Sequence, residues 1–169
     1  MSVITNTTVL SNFAAIRQID LLRLLFTHLY LPTEVYDEIN QGLEEGYEFY
    51  ASIPDLVYPF NPLGWLKMVS FANELELQEL ATLPPGLHAG ESACLSIARH
   101  RGWLLLTDDG AARKAAEQRG ISLSGSVGCL VMAVEQRICS LETANAYLAA
   151  MIAAGYRSPY RDLSSLIVY

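Results

Sequence analysis

The sequence predicts an α/β fold in three layers, with a mostly parallel central sheet held between helices. Three observations lead there. Short β-branched or apolar runs alternate with stretches of helical periodicity along most of the chain. Trp103 to Leu106 is a continuous apolar run too short for a helix, as in central parallel strands covered on both faces. Carboxylates then fall at element ends. Glu91 sits in a helix's first turn, and Asp108 and Asp109 follow a strand, where open α/β sheets place their ligands.

Taken in order, Ser2 to Asn6 reads as a short first strand that ends in polar Asn6-Thr7-Thr8. Ser11 is expected to cap the helix that follows, and Ile19 to Phe26 carries the apolar repeat of a second. Leu29 to Leu31 is a brief strand. Pro32 opens a helix to about Leu43, with Val35 and Ile39 on its buried side and Glu38 beside them. Gly42 and Gly46 mark its end.

Residues 47–85 are less regular and hold five of the seven prolines. A strand over Leu66 to Phe71 and a helix over Glu74 to Leu80 are expected within them. The segment reads as an insert or extended connection in a single domain spanning 1–169, and its exposed aromatics suit a partner contact. The pattern then sharpens into helix 88–100, a turn at Arg101-Gly102, strand 103–107, helix 109–119 and strand 121–123. A helix from about Gly125 to Val134, another over Leu141 to Ala154, and a last short one over Pro159 to Ile167 complete the chain.

The bulk numbers set limits. A hydrophobic fraction of 51% with 17% charged residues belongs to a compact protein, not a disordered one. No apolar run approaches the ~18 residues that span a bilayer, and the N-terminus lacks the pattern of a signal peptide. Cys94, Cys129 and Cys139 have no paired or metal-ligand spacing, as expected of free thiols in a reducing cytoplasm. The formal charge of −7 argues against a general nucleic-acid binder. A carboxylate cluster held for cations would account for much of that charge, and bound cations would reverse the local field.

Four places offer oxygen donors at element ends: Asn6, Glu38, Glu91 and the pair Asp108/Asp109. Hard cations such as Mg²⁺ and Mn²⁺ favour such donors, and two of them about 4 Å apart can activate water against a phosphodiester. Glu38 also belongs to an acidic series with Glu34, Asp37, Glu44 and Glu45, which a solvated helix face explains equally well. Either aspartate of the pair could instead cap helix 109–119. Ser124 to Gly128 places small residues, Ser124 and Ser126 among them, at a helix start where free N–H groups can hold phosphate. Arg113, Lys114 and Arg119 are candidates for contact with a nucleic-acid backbone.

The runs VITNTTVL, LPTEVYDEI, GLHAGESACLSIA and LLLTDDGAARKAAEQRGI occur in that order. Together they resemble successive motifs of the PIN-domain ribonucleases, most of all the bacterial branch near the VapC toxins. The resemblance implies a parallel-sheet α/β/α fold and an endoribonuclease using Mg²⁺ or Mn²⁺. It implies an RNA substrate, a separate antitoxin chain as partner, no membrane, a cytoplasmic location and a homodimer. Carried over, the family's acids fall on Asn6, Glu38, Glu91 and the Thr107-Asp108-Asp109 pattern, which favours Asp109 with Asp108 as its neighbour. Asn6 stands where the family has aspartate. Its amide oxygen can coordinate but brings no charge, so metal affinity is expected to fall. The same departure raises the alternative of a degenerate PIN fold without turnover, acting as a protein- or RNA-binding regulatory partner.

Overall fold

The computed structural model describes residues 1–168. Among these residues six strands form one sheet in the order β3-β4-β2-β1-β5-β6, and every neighbouring pair is parallel. They are β1 (Val3–Thr5), β2 (Leu29–Pro32), β3 (Val57–Tyr58), β4 (Leu66–Val69), β5 (Leu104–Leu106) and β6 (Leu123–Ser124). The chain leaves β1 for β2 on one side and later returns to lay β5 on the other. The winding direction therefore reverses at β1, and a crevice opens beyond its carboxyl end.

Among the described residues eight α-helices complete the layers. They are α1 (Thr7–Ala15), α2 (Asp20–Phe26), α3 (Thr33–Glu44), α4 (Glu74–Leu80), α5 (Ala89–Arg101), α6 (Gly110–Gln118), α7 (Ser126–Glu135) and α8 (Leu141–Ala153). Helices α3, α4 and α6 pack on α5, while α1, α2 and α8 pack on α7. The sheet between these two sets is the three-layer α/β/α arrangement expected from the alternating pattern. Ile4, Leu10, Phe13, Leu31, Ile39, Leu95 and Leu105 are all essentially inaccessible to solvent. Each such side chain contributes roughly 1.5–3 kcal/mol by leaving water.

Several boundaries differ from expectation for identifiable reasons. Ser11 does not cap α1 but lies inside it, its hydroxyl donating to the Thr7 carbonyl. The cap is Asn6, because the chain turns directly from β1 into the helix. Trp103 is not part of β5: after Gly102 in the left-handed region (φ +64°), its N–H closes helix α5 on the Ala98 carbonyl. Ile121 does the same for α6, donating to Ala116 after Gly120 (φ +66°), so β6 starts two residues late.

Residues 47–85 supply the two strands on one edge of the sheet, β3 having escaped the sequence reading. Helix α4 is present as expected, with Asn73 as its cap. Its buried Glu76 and Glu79 meet Arg99, Arg101 and Arg119 from α5 and the end of α6. At the other end of the chain, the helix expected over Pro159 to Ile167 shrinks to a 3-10 turn at Ser164–Leu166. Asn145 and Asp162 hold that segment by accepting N–H groups from Leu163 and Ser164. The three cysteines are free, as expected.

Candidate functional site

The carboxyl ends of β1 and β5 are joined by a short polar network. Asn6 is 1% exposed, so each of its amide atoms must find a partner or incur roughly 1–3 kcal/mol. Its Oδ1 accepts the Thr8 N–H at 3.2 Å and the Thr8 hydroxyl at 2.8 Å. Its Nδ2 donates to Thr107 Oγ1 at 2.6 Å, and that oxygen also accepts the Asp109 N–H at 3.1 Å. The Asp108 N–H in turn donates to Thr8 Oγ1 at 2.9 Å. Asn6 is thus a buried helix cap with its oxygen and nitrogen both committed.

Glu38 reaches the same region from the middle of α3. Its Oε2 accepts the Thr7 hydroxyl at 2.5 Å and its Oε1 accepts the Gly90 N–H at 2.9 Å. Gly90 makes this approach possible, since a Cβ there would lie 2.6 Å from the Glu38 carboxylate. Glu91 follows in the first turn of α5, buried as its apolar face requires, and accepts the His88 N–H at 3.0 Å. Burial pushes its pKa up. The His88 N–H works against that shift, while Asp109 and then Glu38 add to it.

The two aspartates after β5 do different work. Asp109 caps α6, its Oδ2 accepting the Ala112 N–H at 2.8 Å. Asp108 turns the other way, onto the first residue of α7. It accepts the Ser126 N–H at 2.9 Å, the Ser126 hydroxyl at 2.5 Å, the Asn12 amide at 2.9 Å and the Tyr156 hydroxyl at 3.3 Å. The anion expected at this helix start is therefore the protein's own. Asp108 takes both donors of Ser126, in the position the macrodipole favours. Gly125 leaves room for it, because a Cβ there would collide with Asp108 Oδ1. The Tyr156 hydroxyl is pushed to a higher pKa by burial and by the Asp108 charge.

Two cavities flank Asp108. One of 290 Å³ is lined by Arg113, Ser124, Gly125, Tyr156 and Arg157 among others. The other, of 540 Å³, runs along Asn12, Asp109, Tyr156 and Arg157. Arg113 is anchored by a 2.9 Å bond from its guanidinium to the Thr107 carbonyl. Lys114 is exposed, and Arg119 points away from the site, to Glu79 and the Thr82 carbonyl.

Asn6, Asp108 and Asp109 thus share one network at the ends of β1 and β5, and Glu38 and Glu91 reach its neighbourhood from α3 and α5. Sequence reasoning passed over Thr7, Thr8, Asn12, Thr107 and Tyr156 as working parts. The Thr-Asp-Asp run pointed at Thr107, and Asn12 lies six residues beyond Asn6 on the same helix. Nothing local marked Tyr156, which reaches Asp108 from beyond α8.

The donor set can be compared with what a hard divalent cation needs. Both oxygens of Glu38, both of Asp108, and the Asn6 amide oxygen already accept hydrogen bonds within the protein. Among the described residues, no three His, Cys, Asp or Glu side chains come together as a group able to hold a metal ion. As these side chains stand, they do not form the Mg²⁺ or Mn²⁺ centre that the sequence resemblance implies.

An all-parallel sheet with amide and carboxylate side chains gathered where the winding reverses defines the class: an α/β protein whose site lies beyond the carboxyl ends of its central strands. A family model described as PIN domain matches residues 2–167, and the chain belongs to that family. No curated protein matches it. Among the described residues no helix is long and apolar enough to cross a membrane.

Proposed function

We propose that this chain is a PIN fold without turnover that works as a binding, regulatory partner. One observation carries the reading. The residue at the family's first acidic position, Asn6, is a buried cap whose amide is spent on Thr8 and Thr107. A neutral side chain so committed removes both a charge and a free donor from the place where a metal centre needs them. The reading takes the 169 residues as one cytoplasmic domain. Residues 47–85 present exposed Tyr47, Tyr58 and Phe60 to a second copy or another protein.

A second reading has one observation in its favour. Glu91 feels the charges of both Asp109 and Glu38, so these three carboxylates share an electrostatic neighbourhood. On this reading the chain is a Mg²⁺- or Mn²⁺-dependent endoribonuclease, akin to a VapC-like toxin with a separate antitoxin. Glu91 and Asp109 would then be the principal ligands, with Glu38, Asp108 and Asn6 supporting them. Ser124, Ser126 and Arg113 would lie on the substrate side.

Calorimetric titration with Mn²⁺ separates the two. The binding-partner reading expects no saturable heat from the wild type at millimolar metal, and binding that appears in Asn6→Asp. Binding in the wild type that Glu91→Gln and Asp109→Asn weaken would overturn it in favour of the nuclease.

A further inference from the structure

We infer that a 640 Å³ cavity at the amino ends of β2 and β4 binds a small organic phosphate monoester, with Arg23, His28 and Lys67 holding the phosphate and Leu24 and Leu63 its apolar body. The cavity lies at the opposite end of the parallel strands from the Asn6–Asp108 network, so it stands whichever reading of that network holds.

Three parts of the chain build it. Helix α2 brings Arg23 and Leu24, the turn into β2 brings Thr27 and His28, and β4 with its approach brings Trp65 and Lys67. The two strand starts lie side by side: the Leu29 N–H donates to the Trp65 carbonyl at 3.1 Å, and Tyr30 pairs with Lys67. The chain enters β2 through a three-residue turn, in which the His28 N–H donates to the Phe26 carbonyl at 2.6 Å. Thr27 at its centre has φ +64° and ψ −47°, the rare and strained form of γ-turn, here on a β-branched residue. Strain of this kind collects at ligand clamps.

The charges point to an anion. Arg23, His28 and Lys67 surround the space against one carboxylate, Asp20, in a chain of net charge −7. Among the described residues none of these three basic side chains is in an ion pair, whereas Arg99, Arg101 and Arg119 are spent on Glu76 and Glu79. Lys67 meets a ring instead, its Nζ 4.6 Å from the centre of Tyr58, and the His28 ring stands edge-on to Tyr30. Both are thus placed without being neutralised. Trp65 adds a donor, for it is 4% exposed and its indole Nε1 has no hydrogen-bond partner. Buried donors are seldom left unpaired, so this N–H calls for an oxygen from outside the chain. A phosphate monoester presents three charged oxygens to these four donors, where a carboxylate presents two. Its organic part would cover Leu24 and Leu63, which are 66% and 87% exposed. The volume falls within the ~300–1,000 Å³ of small-molecule sites.

The test is calorimetric titration of the full chain with phenyl phosphate, inorganic phosphate and benzoate, all in EDTA. Phenyl phosphate is expected to bind saturably and more tightly than the other two. Arg23 is exposed and Lys67 half-buried, so Arg23→Gln and Lys67→Gln should keep the wild-type melting temperature. Each is expected to weaken phenyl phosphate about 10- to 100-fold, the range for losing a hydrogen bond to a charged group. Arg161→Gln, exposed and outside the cavity, removes the same charge and is expected to bind as the wild type does. A second readout locates the ligand. In a Trp103→Phe chain Trp65 is the only tryptophan, and its emission should change as phenyl phosphate binds. No saturable heat from the wild type at millimolar phenyl phosphate would overturn the site. Wild-type affinity in both cavity variants, or equal weakening by Arg161→Gln, would do the same. Heat without a change in Trp65 emission would put the ligand elsewhere, and benzoate binding as tightly as phenyl phosphate would overturn the phosphate assignment.

Discussion

The Asn6 amide donates to Thr107 Oγ1 at 2.6 Å and thereby ties the carboxyl end of β1 to that of β5. Both residues are essentially inaccessible to solvent. Thr107→Val keeps the shape of the side chain but leaves the Asn6 amide and the Asp109 N–H without their acceptor. The expected cost is about 1–3 kcal/mol of stability. Urea denaturation with an unchanged slope checks it, and a neutral substitution would show that the network is not under the strict pairing described.

Glu91 supplies a pH dependence. Its pKa in the folded chain lies above the ordinary value of 4.5, with burial the largest cause. Between 4.5 and that raised value the folded state holds more protons than the unfolded one. Stability attributable to this group therefore falls as pH rises through the window. Glu91→Gln removes the titration and keeps an acceptor for the His88 N–H. Its stability relative to wild type should improve as pH rises from 4.5 and level off above the raised pKa, read from urea midpoints. A flat difference over that range would contradict the assignment.

Arg101 anchors α4. Its guanidinium donates to Glu76 at 2.6 Å and 2.9 Å and to the Ser70 carbonyl at 2.8 Å, while Glu76 is 1% exposed. Arg101→Met strands a buried carboxylate, and the expected loss is about 3–5 kcal/mol. Adding Glu76→Leu should recover most of it, because removing both charges ends the desolvation penalty. If the double variant melts no higher than the single, the charge pair is not what holds this helix.

Gly125 gives a steric test of the Asp108 position. A methyl group there meets both Asp108 Oδ1 and the Arg113 guanidinium. The carboxylate is held by four hydrogen bonds and cannot step aside cheaply. Gly125→Ala is expected to cost about 1–3 kcal/mol, in the range for overpacking a filled site. A shift in thermal midpoint measures it.

How much of this was visible in the sequence depends on the range over which each feature is decided. The strand–helix alternation and the Trp103 to Leu106 run carry the parallel sheet, because period and burial are local signals. Strand β3 was hidden: it is two residues long, lies between Pro54 and Pro59, and exists only because Leu66 and Lys67 of β4 pair with it. Asn6 was legible as a departure from the family pattern, but its role as a cap was not. Ser11 is an equally good capping residue in composition, and only the direct passage from β1 into α1 decides between them. Asp108 and Asp109 look interchangeable in the sequence. Their separate duties follow from where α7 starts in space, 18 residues after Asp108.

A site whose first acidic position is a committed amide is expected not to turn over. The most direct measurement is incubation of the purified chain with a mixed RNA pool in Mn²⁺, beside Asp109→Asn. The same RNA pattern from both proteins is the predicted result. Cleavage by the wild type that disappears in Asp109→Asn would contradict it.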